Sequence, residues 1–216
     1  MKLARKPWIV GLVVAAVSAA AFVVNARTGV TAAPVLLGMT VGAPDLKSAG
    51  TLAFGPENVL FIGDSQGAAV FAVDVRDAAK DSGAEPLNLK GIDVKIAGLL
   101  GTTPDAVVIK DLAVHPVSQN VYLAVSRGRG NDARPVILRA NRKGELAEVA
   151  LTGVPFSKVT LANPPEPGAK TRWGGDLRSM TITDLAYVDG ELFIAGMSNT
   201  EFASTLRRAA FPFRPA

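Results

Sequence analysis

The feature that most constrains this chain is an internal similarity in three copies. The first is Leu52-Ala53-Phe54, a turn at Gly55-Pro56-Glu57-Asn58, then Val59-Leu60-Phe61-Ile62-Gly63. The second is Asp111-Leu112-Ala113-Val114-His115-Pro116 followed by Asn120-Val121-Tyr122-Leu123-Ala124-Val125. The third is Asp184-Leu185-Ala186-Tyr187-Val188-Asp189-Gly190-Glu191-Leu192-Phe193-Ile194-Ala195-Gly196. Each copy has a Leu-Ala start, a tight turn and a strand rich in β-branched and aromatic residues. A further β-like run follows each, at 69–75, 135–141 and 204–211, and the middle copy adds a fourth at 145–151. Short antiparallel strands repeated at 60 and 73 residues, from Leu52 to Leu112 to Leu185, predict an all-β fold of antiparallel sheets. The 21 glycines and 14 prolines supply the turns such a fold needs and argue against a helical bundle.

Four-stranded units of this kind resemble the blades of the β-propeller superfamily, in its YVTN, NHL and SMP-30-like branches. The resemblance lies in the pattern and in the phrase Leu-Ala-x-x-Pro … Leu-Phe-Ile-Gly-Asp at 52–64, with no diagnostic family motif. It covers residues 50–213 and implies a partial propeller of about three blades, near 50–98, 110–151 and 182–213, with a Pro/Gly-rich loop at 155–179. A β-sandwich is the alternative arrangement. The propeller is favoured because it gives every Leu-Ala strand the same place at a central channel. A ring needs at least about four blades, so the chain is expected to be the N-terminal part of a longer protein or to close with another chain. Between the repeats, residues 76–85 read as a short exposed helix. Residues 92–100 stay open between two forms: Ile92, Val94 and Ile96 alternate as a strand does, while Asp93 and Gly101 could bracket two helical turns.

The net charge of +4 and a pI near 9.5 suggest an acidic partner until the charge is located. Lys2, Arg5 and Lys6 precede an uncharged apolar run from Trp8 to Val24 and a small-residue site at Val24-Asn25-Ala26. That order is a secretory signal pattern, and an uncleaved N-terminal anchor is its rival. Residues 1–26 are thus read as signal peptide or anchor, and 27–49 as a linker. Either form places the remaining chain outside the cytoplasm, periplasmic or secreted. No Asp or Glu occurs before Asp45, so residues 27–216 carry only +1, which disfavours nucleic acid as a partner. A membrane is expected to be met only through the N-terminal segment.

The absence of cysteine excludes disulfides, thiolate metal sites and a thiol nucleophile. His115 is the sole histidine, which excludes multi-His metal sites and makes it the one base available to a Ser-His-Asp triad. Its place in a strand turn reads as a surface or turn-bonding residue. In antiparallel units the first strand begins where the second ends. Thr51, Asp111 and Asp184 at the strand starts, with Asp64-Ser65, Ser126-Arg127 and Ser198-Asn199 at the ends, are expected at one mouth of the channel, with His115 at the other. Asp64, Asp111 and Asp184 have the chemistry to bind Ca²⁺ or another divalent cation there. The competing role for each is to tie down its own turn through backbone hydrogen bonds.

Two further features are candidate ligand contacts. The loop 126–134 sets Arg127 and Arg129 among glycines that could offer N–H groups to an anion, although it lacks the Gly-Lys-Ser/Thr ending of a phosphate loop. Arg172 and Trp173 could form a stacking platform. The expected function is an extracytoplasmic binding or interaction module with a small molecule or protein at the channel mouth. The resemblance also implies an alternative, a propeller enzyme of the metal-dependent lactonase-like or quinoprotein-like dehydrogenase kind, since a fold does not fix an activity.

Overall fold

A computed structural model of the protein describes residues 38–77, 86–200 and 203–214. The signal or anchor expected at 1–26 lies outside the described residues, as does most of the helix expected at 76–85. Among the described residues the protein is all-β, with one α-helix and antiparallel pairing throughout. The strands are β1 (Thr40–Gly42), β2 (Leu52–Phe54), β3 (Val59–Asp64), β4 (Ala69–Asp74), β5 (Val107–Val114), β6 (Val121–Arg127), β7 (Arg134–Ala140), β8 (Leu146–Glu148), β9 (Val154–Thr160), β10 (Asp184–Val188), β11 (Glu191–Met197) and β12 (Ser204–Ala210), and the helix is α1 (Ile92–Leu100). No helix among these residues is long and apolar enough to cross a membrane.

Three sheets result. β5-β6-β7-β8 and β10-β11-β12 are simple meanders, and the third has the order β1-β9-β4-β3-β2. Turn chemistry sets the hairpins: Asp189 and Gly190, both at positive φ, make the two-residue connection between β10 and β11. The five-stranded sheet lies in the middle. One face (Val59, Phe61, Val70, Ala72) packs on Leu185, Leu192 and Ile194 of the β10–β12 sheet, together with Phe211 and Phe213. The other face (Leu60, Ile62, Phe71, Val73) packs on Tyr122, Ala124 and Ile137 of the β5–β8 sheet. Burial on both faces is why β3 and β4 read as continuous apolar runs, whereas β12 alternates between exposed and partly buried residues. The far face of the β5–β8 sheet is covered by Ile96 and Leu100 of α1. The sheets come closest to one another at their first strands, with β2 beside both β5 and β10. No sheet closes on itself.

Three segments differ from the sequence expectation. Residues 154–160, most of them assigned to the 155–179 loop, form β9, which pairs with β4 from Val73↔Phe156 to Ala69↔Thr160 and with β1. Pro155 hid this strand. A proline is tolerated there because it sits at the strand's start, before the pairing with β4 begins. The fourth strand of the first repeat therefore comes from after the second repeat, not from 86–98. Residues 40–42, assigned to the linker, form β1 at the edge of the same sheet. Residues 92–100 resolve to a helix: Ile96, Ala97 and Leu100 are buried at helical spacing while Val94 is 60% exposed. Gly101 ends it in the left-handed conformation, its N–H donating to the Ala97 carbonyl.

Candidate functional site

Where β2 and β10 begin, beside Lys110 in the middle of β5, the three sheets open on a cavity of about 900 Å³, and Asp111, expected at a strand start, lies within β5 instead. Thr51, Lys110 and Thr183 line it from the first strands or the residues just before them, and Ser65 and Ser126 from the ends of the second strands. Close packing fixes these walls. The Ser65 hydroxyl accepts from the Ile182 N–H and donates to the Ile182 carbonyl, both at 3.2 Å, so it joins the middle sheet to the segment leading into β10. Gly63 and Gly196 are required beside it, because a Cβ at either would collide with Thr51 or with the Thr181 carbonyl. Arg178, 8% exposed, donates to the Gln66 and Pro165 carbonyls and pins the 176–183 segment to the β3–β4 turn.

The three aspartates are occupied by the backbone. Asp64 is fully buried, and its carboxylate accepts from the Lys47 and Ser48 N–H groups and the Ser48 hydroxyl, each at 2.8 Å, and from Gly67 N–H at 2.9 Å. It anchors the incoming chain at 47–48 onto the β3–β4 turn. Asp111 accepts from Leu52 N–H and Leu112 N–H at 2.8 Å and so links β5 to β2. Asp184 accepts from Leu185 N–H. Among the described residues no group of three or more His, Cys, Asp or Glu side chains is placed to hold a metal ion, so Asp64, Asp111 and Asp184 are not gathered into one.

The other expected contacts are dispersed. Arg129 donates through Nε and Nη2 to the Asp105 carbonyl, and neither it nor Arg127 lines the cavity, although Gly130 and Arg134 of the same loop do. Arg172 stacks on Trp173 at 3.9 Å, and Trp173 is 79% exposed. That pair sits on a loop whose base residues, Lys170 and Asp176, line the cavity while the pair does not. Ser198 and Asn199 also lie outside the lining.

His115 is at the other end of the β5–β6 hairpin and is fully buried. Its Nδ1 accepts the Ser118 N–H at 3.0 Å, which leaves the proton on Nε2, and its ring meets Phe54 edge-on at 4.8 Å. It is a turn-bonding residue in the interior. Beside it stands a carboxylate the sequence did not single out. Asp77 Oδ2 accepts from the Ser118 hydroxyl at 2.8 Å and from the Asn120 amide and Tyr122 hydroxyl at 2.9 Å. Burial pushes the Asp77 carboxyl up, but these donors, led by Asn120, outweigh it and hold the group below its ordinary value. Burial, aided by the bond to Asp77, raises the Tyr122 phenol. Ser118, His115 and Asp77 are the residue types of a nucleophilic triad without its geometry, since the Ser118 hydroxyl donates to Asp77 and the imidazole accepts from backbone. The sequence places Asp77 in the exposed helix expected at 76–85, among the charged residues Asp74, Arg76, Lys80 and Asp81, and its burial at 2% exposure corrects that expectation.

No protein-family model, no curated protein and no solved structure matches the chain. Among the described residues the protein is all-β, with stacked antiparallel sheets and a cavity lined by residues of all three beside β2, β5 and β10.

Proposed function

We propose that this chain is a propeller-like binding module, acting outside the cytoplasm, that holds a small ligand in the cavity at the convergence of β2, β5 and β10. The observation that carries the reading is the cavity itself: about 900 Å³, within the size range of small-molecule sites, with walls drawn from all three sheets. Sheets that pack face to face and approach most closely at their first strands have the radial arrangement of propeller blades, which supports that architecture over a sandwich. The extracytoplasmic placement rests on the basic, apolar and small-residue order of residues 1–26.

The test is a panel of small molecules of all charge types, read by melting temperature, on the protein and on a cavity-filling variant, Ser179→Trp. Ser179 is an exposed wall residue whose hydroxyl donates to the Asp176 carbonyl at 2.6 Å, so the unliganded variant should lose no more than about 1.5 kcal/mol relative to the parent. Ligands that stabilise the parent and not the variant are expected. A panel in which no compound discriminates between the two contradicts the reading.

A further inference from the structure

Resting on that reading, the charges around the cavity specify its ligand. Lys47, Lys110, Arg134 and Lys170 line the wall against one carboxylate, Asp176. Asp176 is already engaged, accepting from the Gln66 amide at 3.0 Å and the Arg178 N–H at 3.1 Å. Lys47 is paired with Asp45 at 2.8 Å on the exposed rim. The ammonium groups of Lys110 and Lys170, by contrast, make no hydrogen bond or ion pair to the described residues. The buried Arg178 adds a further cation behind the wall, bonded only to neutral carbonyls. Asp64 and Asp111 also stand close behind the lining, but their oxygens face backbone N–H groups.

Lys110 has a second distinguishing property. The β5–β6 register steps from Ile109↔Val125 to Asp111↔Ala124, so Lys110 is the extra residue of a β-bulge. A bulge breaks the alternation of a strand and re-aims its side chains. Here Val108, Ile109 and Lys110 are exposed in succession, Lys110 lines the cavity, and Asp111 is turned to β2.

We infer that the cavity binds a small organic or inorganic polyanion, with at least two carboxylate or phosphate groups, held by Lys110 and Lys170. The cations converge from three separate places, the β5 bulge, the start of β7 and the loop before β10, which suits a multiply charged ligand better than a single anionic group.

Citrate and tripolyphosphate are the two anionic probes, titrated calorimetrically at constant ionic strength set with sodium chloride. Trehalose and spermidine serve as neutral and cationic probes. At least one polyanion is expected to bind, and which of the two is tighter distinguishes carboxylate from phosphate recognition. Lys110→Gln and Lys170→Gln should each weaken that binding about tenfold, from loss of one charge-assisted contact. Lys110→Glu with Lys170→Glu should abolish it while leaving the unliganded melting temperature unchanged, and Ser179→Trp should abolish it as well. If trehalose or spermidine binds, is blocked by Ser179→Trp and is indifferent to the lysine substitutions, the polyanion assignment falls and the binding cavity stands. If neither polyanion shows lysine-sensitive binding, the assignment falls. If no probe responds to Ser179→Trp, the cavity reading falls with it.

Discussion

At the His115 end of the β5–β6 hairpin, the Asp77 carboxylate is 2% exposed and takes three side-chain donors within 2.9 Å, whereas at the cavity end the Lys110 and Lys170 ammonium groups have no partner among the described residues. Both ends place charged groups beside strand turns. One end pairs its carboxylate internally, joining the residues after β4 to the β5–β6 turn, while His115 Nε2 beside it is buried with no hydrogen-bond partner among the described residues. The other leaves its ammonium groups open to the cavity. A buried carboxylate with every donor matched rigidifies the fold, because removing it strands those donors away from water. A lysine in a cavity wall with no partner among the described residues adds no bond to the fold, and the proposal gives it to a ligand. Asp64 shows that this contrast follows partners rather than place: it stands at the cavity end, yet with four donors it belongs to the architecture.

The sharpest way to break the contrast is Asp77→Ala. It strands the Ser118 and Tyr122 hydroxyls and the Asn120 amide, and should cost about 3 kcal/mol or more in urea unfolding. A loss under 1 kcal/mol would show that the network is not architectural. Asp64→Asn keeps one acceptor oxygen but sets an amide against backbone N–H groups, with an expected cost of about 2 kcal/mol and no loss of the β-sheet circular dichroism signal. Tyr122→Phe removes a single donor to Asp77 from a residue that otherwise packs as an aromatic, so about 1 kcal/mol is expected.

The pH dependence has a defined sign. The Asp77 carboxyl is held below the ordinary value of 3.8 for a free aspartate, so the folded state keeps it ionised more readily than the unfolded chain does. Its contribution is complete at neutral pH and is lost as pH falls from 3.8 through the lower folded value. Denaturation midpoints measured from pH 6 to about pH 2 should therefore fall more steeply in the parent than in Asp77→Asn. The smallest effect is expected at the open end: Lys110→Gln should move stability by no more than about 0.5 kcal/mol, since the lysine is exposed and its ammonium bonds to none of the described residues. A larger loss would make Lys110 a structural residue.

Sequence pattern disclosed the strands of all three repeats, because burial and turn chemistry are local properties. Val59 to Gly63 sits between two sheets and reads as an unbroken apolar run, and Asp189-Gly190 states its own turn. Strand direction also brought Thr51, Ser65 and Ser126 to one mouth. The partners of the aspartates were not legible. The Asp111 carboxylate is met by the N–H of Leu52, 59 residues away, and Asp64 by Lys47 and Ser48, and no spacing rule connects such pairs. The charge of the cavity was hidden for the same reason: Lys110 precedes Asp111, where the second repeat was read to start, and its register shift has no sequence signal, while Lys170 sits in a loop with no periodicity. β9 was masked by one proline and by its separation in sequence from the sheet it completes.

The claim that ties these parts together is that one ligand site is built from all three sheets at the end opposite His115. Hydrogen exchange mass spectrometry with and without the tighter of citrate and tripolyphosphate tests it most directly. Protection is expected together in peptides covering 47–51, 126–135 and 168–183, with none gained at 115–122, where the Asp77 network is already closed. Protection confined to one of those segments, or centred on 115–122, would contradict a shared cavity at the convergence of the first strands.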